Sequence, residues 1–253
     1  MRALYLLLGD PVAHSRSPAI HARAFSLLGV DAVYAPSRVT DVARAIDSLR
    51  ALGVAGANVT IPHKEAVLPL LDRVDESARR IGAVNCIVNR GGELHGFNTD
   101  REGILRALGP FSGQAAVLGA GGSARAAVDA LKPRVVLIAG RRRTDALAAS
   151  MGVKVAGREA LRSADLVVNC TPVGMSDDQL PVEPESVHGA ILDLVYAGPR
   201  GETALVRAGR ARGLRVIDGL SVLVYQAIAS LEIWLGRPRL DELYAPLREA
   251  ALA

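Results

Sequence analysis

Short apolar runs recur along the whole chain, and most of them lead into a segment whose apolar residues have helical spacing. The runs do not alternate with polar residues, which is typical of strands buried on both faces of a parallel sheet. Parallel strands need crossover helices between them, and the intervening segments are suited to that role. The pattern therefore predicts an α/β protein.

The first hundred residues are predicted to form one α/β lobe. Ser17 followed by Pro18 is typical of an N-cap and a first helical position, and predicts a helix to about Leu28. A second helix is predicted over Asp41–Leu52, where Gly53 ends it. Strands are predicted at Ala3–Leu8, Val33–Ser37, Gly56–Thr60, Ala83–Asn89 and Glu93–Phe97.

From Asn98 onward the alternation of strand and helix becomes more regular. The last segment, about Leu220 to Leu252, is predicted to be two helices that pack back on the first lobe. We therefore expect one domain of residues 1–100 with 220–253, and a second of residues 101–219. Strands of the second domain are predicted at Ala115–Leu118, Val135–Ala139, Leu166–Asn169, Ala190–Asp193 and Arg215–Ile217.

Composition and charge exclude several classes of protein. Half of the residues are hydrophobic, which excludes a disordered chain. The net charge of +4 is dispersed with few aromatic residues, so we predict no nucleic-acid partner. The N-terminal apolar run is too short for a signal peptide, and Gln226 and Glu232 interrupt the late run, so we expect no membrane partner and a cytoplasmic location. Cys86 and Cys170 share no metal-ligand spacing and are expected to be buried thiols, with no metal.

A glycine-rich segment follows the predicted strand Ala115–Leu118 and opens a helix. Gly119, Gly121 and Ala124 fit the pattern G-x-G-x-x-G/A, whose small residues allow a tight turn, close approach of a pyrophosphate and close helix–strand packing. The helix N-terminus faces the anion. We therefore predict a Rossmann-type, doubly wound dinucleotide-binding domain, in which the cofactor is bound by Gly119, Ala120, Gly121, Gly122 and Ser123.

The end of the next strand indicates which nicotinamide cofactor is bound. An acid there binds the ribose 2′-hydroxyl of NAD, whereas arginine attracts the 2′-phosphate of NADP. Here Val135–Ala139 is followed by Gly140 and then by three consecutive arginines, and no acid appears before Asp145. Cations at a helix N-terminus oppose the helix dipole, a conflict that a bound phosphate relieves. We predict NADP(H), bound by Gly140, Arg141, Arg142, Arg143 and Thr144.

Four polar clusters lie at the ends of apolar segments in the first lobe: His14–Pro18, Asn58–Lys64, Gly82–Asn85 and Asn98–Asp100. Their hydroxyl, amide, ammonium and carboxylate groups suit a polyhydroxylated acid. Each group also has a local alternative: Ser17, Asn98 and Asp100 as helix caps, and Asn58 and Thr60 as turn formers. Lys64 is one of three lysines beside 27 arginines, which favours a role in proton transfer there.

Taken together, these clusters resemble the shikimate dehydrogenase family over almost the whole chain. The motifs S-x-S-P, N-V-T-x-P-x-K, G-A-x-N and N-T-D occur in family order before the glycine loop. After it come Asn169-Cys170-Thr171-Pro172, Asp193-Leu194-Val195-Tyr196, and Gly219 with Gln226. The resemblance implies an N-terminal substrate domain, an NADP-binding domain, and reversible NADPH-dependent reduction of 3-dehydroshikimate to shikimate, a step of aromatic amino acid and chorismate biosynthesis.

The resemblance also implies residue roles. Lys64 and Asp100 would be the catalytic pair, in which an adjacent carboxylate keeps the ammonium oriented and charged. The substrate carboxylate would be bound by Ser15 and Ser17. The ring hydroxyls would be surrounded by Asn58, Thr60, Asn85, Asp100, Tyr196 and Gln226, and the cofactor would lie near Glu76, the Asn98–Thr99 loop, Leu194 and Gly219.

Two positions depart from the family pattern, and two other functions stay open. Gly140 stands where the family often has asparagine, and Val222 where it has methionine. A quinate-preferring, NAD-using relative is disfavoured by Arg143, Ser15 and Thr60. A non-catalytic NADP-binding sensor on the same fold is disfavoured because Lys64 and Asp100 are both present. The oligomeric state is left open, with a homodimer as one alternative.

Overall fold

The computed structural model describes residues 2–138, 143–196 and 201–253, and the chain divides into two compact units. The first unit comprises residues 1–103 and 223–253, and the second comprises residues 104–222. The strands are β1 (Ala3–Gly9), β2 (Ala32–Arg38), β3 (Gly56–Val59), β4 (Arg73–Val74), β5 (Cys86–Arg90), β6 (Glu93–Phe97), β7 (Ala115–Leu118), β8 (Val135–Ile138), β9 (Lys154–Ala156), β10 (Leu166–Asn169), β11 (Ala190–Asp193) and β12 (Val216–Ile217). The α-helices are α1 (Ser17–Leu28), α2 (Val42–Ala51), α3 (Glu76–Ile81), α4 (Thr99–Leu108), α5 (Gly122–Leu131), α6 (Thr144–Met151), α7 (Ala204–Ala211), α8 (Gly219–Leu235) and α9 (Tyr244–Leu252).

The first unit is built on a mixed six-stranded sheet in the order β2-β1-β3-β5-β6-β4. Strand β1 pairs in parallel with β2 and with β3, and β5 runs antiparallel to both of its neighbours, β3 and β6. Because β5 is antiparallel to both β3 and β6, these two strands run in the same direction as each other and as β1. The carboxyl ends of β1, β3 and β6 therefore lie at one edge of the sheet. Residues that follow these strands are therefore brought to that edge.

Most predicted elements of the first unit are confirmed, with three differences. The strand predicted from Ala83 begins at Cys86, because the preceding residues hydrogen-bond outside the ladder. The prediction missed the two-residue strand β4 and the six-residue helix α3, which are too short to show a period. Ser17 is not an N-cap: α1 begins at Ser17, Arg16 is the N-cap, and Ser15 Oγ accepts from Ser17 N over 3.2 Å.

The second unit is a six-stranded sheet in the order β9-β8-β7-β10-β11-β12, and every described strand pair in it is parallel. Counted within the unit, this is the order 3-2-1-4-5-6 of a doubly wound nucleotide-binding fold. The order reverses between β7 and β10, so the loops after these two strands flank the point at which such folds bind ligands. The predicted Rossmann-type fold is confirmed, although strand β9 was not predicted.

Each unit has its own apolar core, and the C-terminal helices belong to the first. Leu8, Ile46 and Leu94 are among the fully buried residues of the first core, and Val167 and Ile191 among those of the second. Trp234, near the end of α8, donates from Nε1 to Ile87 O over 2.9 Å and packs against Tyr5 with ring centroids 4.6 Å apart. The predicted return of these helices to the first lobe is confirmed. Within the described ranges, we find no helix with the length and apolarity needed to span a membrane.

Candidate active site

Three of the four polar clusters predicted from the sequence contribute to one network at the sheet edge of the first unit. The turn that begins at Thr60 follows β3, Asn85 immediately precedes the antiparallel strand β5, and α4 begins at Thr99 directly after β6. Backbone hydrogen bonds hold these segments together: Val84 N donates to Lys64 O over 2.8 Å, and Asn85 N donates to Phe97 O over 3.0 Å. Sheet topology therefore brings together residues that are far apart in the sequence.

Lys64 and Asp100 form an ion pair at the rim of this network. Lys64 Nζ lies 2.5 Å from Asp100 Oδ2, and the two side chains are only 13% and 15% exposed. Asp100 lies in the first turn of α4, where a carboxylate is favoured by the helix dipole. The pair can therefore present an oriented ammonium to a ligand while little water surrounds it.

Asn85 binds the second oxygen of the same carboxylate. Its Nδ2 donates to Asp100 Oδ1 over 2.8 Å and to Thr99 Oγ1 over 3.0 Å. Thr99 N donates to Asn85 Oδ1 over 2.6 Å, which fixes which end of the amide faces Asp100. Both N–H groups of this amide, which is 2% exposed, are thus committed to the protein.

A second buried amide, Asn58, belongs to the same unit. Its Nδ2 donates to Asn85 O over 3.1 Å and to Ser230 Oγ over 3.0 Å, while Tyr34 Oη donates to its Oδ1 over 3.0 Å. Since both amide protons have partners, a ligand would meet only the remaining lone pair of Oδ1 in the described structure. Asn58 therefore has a structural role, because it joins Tyr34, Ser230 and the backbone of Asn85.

Gln226 and the serine cluster are the remaining predicted substrate residues of the first unit. Gln226 is buried on α8, donates from Nε2 to Leu223 O over 3.0 Å, and places Oε1 3.4 Å from Asn85 Nδ2. Ser15 is half-buried, Ser17 is buried, and Ser15 Oγ accepts from the first turn of α1. No contact between the serine pair and the Lys64 network is described.

The structure also shows the local roles of Asn98 and of the two cysteines. Asn98 Oδ1 accepts from Arg101 N over 3.3 Å, so Asn98 does cap α4, and Thr99 is helical and does not lie in a loop. Cys86 is buried as predicted, and burial raises the pKa of its thiol to about 12, which keeps it neutral. Cys170 is only half-buried, so that part of the prediction was wrong.

Sequence reasoning missed Tyr34 and Ser230 as members of the network. Ser230 lies four residues after Gln226, and the two therefore share one face of α8. A small polar residue at that spacing in a mostly apolar helix was an available signal. Tyr34 lies on β2, and nothing in the spacing of that strand singles it out.

The glycine loop of the second unit fits a dinucleotide pyrophosphate. Gly119 follows β7 with φ of +110°, and a Cβ there would lie 2.9 Å from the carbonyl oxygen of Cys170, so a larger residue does not fit. Gly121 is the N-cap of α5, and the first backbone N–H groups of that helix lack intrahelical acceptors. Ala124 is fully buried, as the close packing of helix on strand requires. These features provide a concave row of donors for an anion.

Two further residues predicted to lie near the cofactor, Leu194 and Gly219, are in contact with each other. A Cβ on Gly219 would lie 2.7 Å from Leu194 O, so this close approach requires glycine. Asp193, fully buried, accepts from Asn169 Nδ2 over 2.9 Å, from Val195 N over 3.1 Å and from Thr203 Oγ1 over 2.6 Å. Burial raises the pKa of Asp193, and the three donors oppose that rise. The turn after β11, which carries Leu194 and Tyr196, is thereby held at its base.

Some predicted cofactor residues can be placed and others cannot. Gly140, Arg141 and Arg142 lie outside the described residues. Arg143 is the exposed N-cap of α6 with φ of 63°, and Thr144 is the buried first residue of that helix. Glu76 is exposed and begins α3 in the first unit.

Comparisons with known proteins agree across both units. A family model described as the shikimate dehydrogenase substrate binding domain matches residues 7–87. The NADP-dependent shikimate dehydrogenase of Symbiobacterium thermophilum is 42% identical over 277 residues, covering 98% of this chain and 92% of the relative. That of Salinibacter ruber is 43% identical over 266 residues, covering 92% of each chain.

A solved structure matches over nearly the same extent. The shikimate 5-dehydrogenase of Thermus thermophilus, in complex with NADP(H) and shikimate, superposes with a TM-score of 0.90 at 37% identity and covers 98% of each chain. The matched relatives cover 92–98% of this chain, so the similarity extends over both units. The motifs also occur in the order of the family. The chain therefore belongs to the shikimate dehydrogenase family.

Proposed function

We propose that this chain is an NADP-dependent shikimate dehydrogenase, which catalyses the reversible reduction of 3-dehydroshikimate to shikimate in aromatic amino acid and chorismate biosynthesis. The observation that carries the proposal is the ion pair of Lys64 and Asp100, with 2.5 Å between Nζ and Oδ2 and little solvent exposure. A non-catalytic sensor on the same fold needs no such pair.

The pair meets the chemical demand of the reaction. Bound NADPH supplies the hydride. As the carbonyl of the substrate is reduced, negative charge develops on its oxygen, and an oriented cation lowers the energy of that state. Lys64 Nζ donates a hydrogen bond to this oxygen, and the pair with Asp100 supplies the proton that completes the hydroxyl. In the reverse direction the same pair removes that proton.

Substrate orientation is assigned to the polar groups around the pair. The serine hydroxyls of Ser15 and Ser17 bind the ring carboxylate, while Thr60, Gln226 and Tyr196 meet the ring hydroxyls. Asn58 and Asn85 act on the ring mainly through the groups that they hold, because their amide protons bond within the protein. Asp100 contacts both Lys64 and the ring.

NADP(H) is assigned to the second unit. The pyrophosphate binds at the N-terminus of α5 and at Gly119, Ala120, Gly121, Gly122 and Ser123. Gly140, Arg141, Arg142, Arg143 and Thr144 surround the 2′-phosphate, and Leu194 and Gly219 lie beside the nicotinamide. Glu76, at the start of α3, is assigned to the cofactor as well. Support comes from the tight approach of Gly119 to Cys170 and of Gly219 to Leu194, neither of which tolerates a side chain.

We further infer that the reaction takes place in the cytoplasm and that the protein acts on small molecules without a nucleic-acid partner. Cys86 and Cys170 are both free thiols, which suits a reducing compartment. The small net charge of +4 gives no basis for binding a polyanion.

The test is an assay at the nicotinamide absorbance band with shikimate or quinate and with NADP or NAD, in all four combinations. Fastest turnover is expected with shikimate and NADP. Faster turnover of quinate with NAD would replace the proposal by the quinate-preferring alternative. Saturable NADPH binding without turnover of either ring would favour the sensor.

A further inference from the structure

Ser230 is a fully buried polar residue on α8 that no motif of the family pattern quoted above includes. Its Oγ lies 3.0 Å from Asn58 Nδ2, 3.2 Å from Thr99 Oγ1 and 3.0 Å from Gln226 O. One hydroxyl thus joins three residues of the predicted site motifs. A serine of this kind is either a local helix contact or part of the machinery that orients the site.

The placement of protons distinguishes these two roles. Thr99 N fixes Asn85 Oδ1 on its own side, so Asn85 Nδ2 faces Asp100 Oδ1 with one hydrogen and Thr99 Oγ1 with the other. Thr99 Oγ1 therefore accepts, and its own proton needs a different acceptor. Asn85 Oδ1 lies 3.2 Å away but already accepts from the backbone N–H of Thr99, and Gln226 Oε1 lies farther away, at 3.4 Å. We therefore assign the proton of Thr99 to Ser230 Oγ, at 3.2 Å.

Ser230 can accept this proton because its own proton goes elsewhere. Its Oγ donates to Gln226 O over 3.0 Å, which leaves its lone pairs for Thr99 Oγ1 and Asn58 Nδ2. With this assignment, Asn85 donates to Thr99, Thr99 donates to Ser230, and Ser230 donates to the backbone of α8, so all three hydrogen bonds run in the same direction. Chains of hydrogen bonds with a single direction strengthen one another in a low-dielectric interior.

We propose that Ser230 is a positioning residue for Asp100, which it reaches through Thr99 and Asn85. The inference rests on the proposed function, because it assigns a kinetic consequence to the orientation of Asp100. Loss of the hydroxyl leaves Thr99 to donate to Asn85 Oδ1 at 3.2 Å or to Gln226 Oε1 at 3.4 Å. Either change turns the lone pairs of Thr99 Oγ1 away from their alignment with Asn85 Nδ2, and so weakens the hydrogen bond that helps to orient the amide towards the carboxylate.

The first experiment compares Ser230→Ala with Val224→Ala. Val224 is fully buried on the same helix, carries no polar atom, and loses packing on truncation, so it reports the kinetic effect of destabilisation alone. We expect Ser230→Ala to lower kcat about tenfold, which corresponds to the loss of roughly one hydrogen bond in the transition state. The KM for shikimate should stay within about twofold of the wild-type value. Val224→Ala is expected to unfold at lower temperature and to keep the wild-type kcat.

The second experiment is a double-mutant cycle of Ser230→Ala with Thr99→Val. If the two hydroxyls act in series, the double variant loses little more kcat than Thr99→Val alone. Ser230→Cys retains a weak acceptor at the same position, so its kcat should lie between those of the wild type and of Ser230→Ala. This variant replaces Ser230→Ala in the comparison if the alanine variant does not fold.

The outcomes separate the two claims. Absence of shikimate turnover in the wild-type protein contradicts the proposed function. Wild-type turnover with a Ser230→Ala kcat equal to that of Val224→Ala, or with losses that simply multiply in the cycle, overturns the positioning role and leaves the proposed function intact.

Discussion

Asn85 Nδ2 lies 2.8 Å from Asp100 Oδ1, on the opposite carboxylate oxygen from the one that Lys64 Nζ binds. The two donors hold Asp100 from both sides, one with a charged group and one with a neutral amide. This arrangement fixes the plane of the carboxylate and, through it, the direction of the Lys64 ammonium. A carboxylate bound at one oxygen alone would keep more rotational freedom.

The glycine loop can be tested with two alanine substitutions that the structure distinguishes. At Gly119 a Cβ would lie 2.9 Å from Cys170 O at φ of +110°, so Gly119→Ala should reduce both the melting temperature and NADPH affinity. At Gly121 a Cβ meets nothing within 4 Å in the described structure, so Gly121→Ala should keep the melting temperature and still weaken NADPH at least about tenfold. Differential scanning calorimetry measures the melting temperature, and isothermal titration calorimetry measures the affinity for NADPH.

Shikimate binding to the first unit serves as the control for these two variants. An NADPH affinity unchanged in Gly121→Ala would contradict the proposed approach of the pyrophosphate to this loop.

Cofactor choice should depend on the arginines that follow β8. Replacing Arg141 and Arg142 together by alanine is expected to weaken NADPH binding about a hundredfold or more, because the 2′-phosphate loses two cationic partners. NADH binding should change by less than about threefold, since NADH lacks that phosphate. Fluorescence titration of both cofactors measures the ratio, and equal losses would count against NADP specificity at this position.

Much of the fold could be predicted because continuous apolar runs indicate buried strands, and because the longer helices have apolar residues at helical spacing. The bounds of β7, β8, β10, β11 and β12 in the second unit, and those of helix α1, were predicted to within about two residues. The short elements β4, β9 and α3 could not be, since two, three or six residues do not establish a period. The N-cap of α1 was predicted one residue too late: it is Arg16, and the hydroxyl of Ser15 accepts from Ser17 N in the first turn.

The site was predicted as separate motifs, and their convergence depends on strand directions that no local pattern specifies. Lys64, Asn85 and Asp100 meet because β5 runs antiparallel to both β3 and β6. Tyr34 was missed because nothing in the spacing of β2 indicates its bond to Asn58. The spacing of Ser230 from Gln226 was a usable signal, but it does not reveal the bond of Ser230 to Asn58, which lies 172 positions away in the sequence.

Stability at acid pH should depend on His21. Its ring is fully buried and stacks on Tyr34 with centroids 4.1 Å apart, and burial lowers its pKa from 6.5 to about 4, against an opposing backbone hydrogen bond to Ser17. Between these values the unfolded chain binds more protons than the folded protein. The free energy of unfolding should therefore fall as the pH is lowered from 6.5 towards 4, by about 3 kcal/mol from this residue.

His21→Phe, which keeps an aromatic ring against Tyr34 and does not titrate, should flatten that part of the profile. Urea unfolding at a series of pH values is the measurement, and His14→Ala, at an exposed position, is the control. A His21→Phe profile parallel to wild type would contradict the assignment.

Thr203 should matter for stability through two bonds of one hydroxyl. Its Oγ1 donates to Asp193 Oδ2 over 2.6 Å and accepts from Val206 N over 3.2 Å at the start of α7. Thr203→Val is expected to lower the free energy of unfolding by about 2–4 kcal/mol, whereas Thr203→Ser should recover most of it.

The pH dependence of this loss has a definite sign. The pKa of Asp193 is already raised by burial, and removal of the Thr203 donor raises it further, so the charged carboxylate becomes costlier in the folded state. The deficit of Thr203→Val should therefore be larger at neutral pH than below the ordinary carboxyl value of 3.8. A deficit that does not change with pH would mean that the helix cap alone accounts for it.

The measurement that tests the catalytic pair most directly is steady-state kinetics of Lys64→Ala with shikimate and NADP. Lys154→Ala is the matched control, since Lys154 is exposed on β9. Lys64→Ala should lower kcat by about 10²–10⁴-fold with KM for shikimate changed little, because the ammonium acts on charge that develops during the reaction. A normal kcat with a raised KM would show that Lys64 only binds the ring, and would contradict the assignment of Lys64 and Asp100 as the catalytic pair.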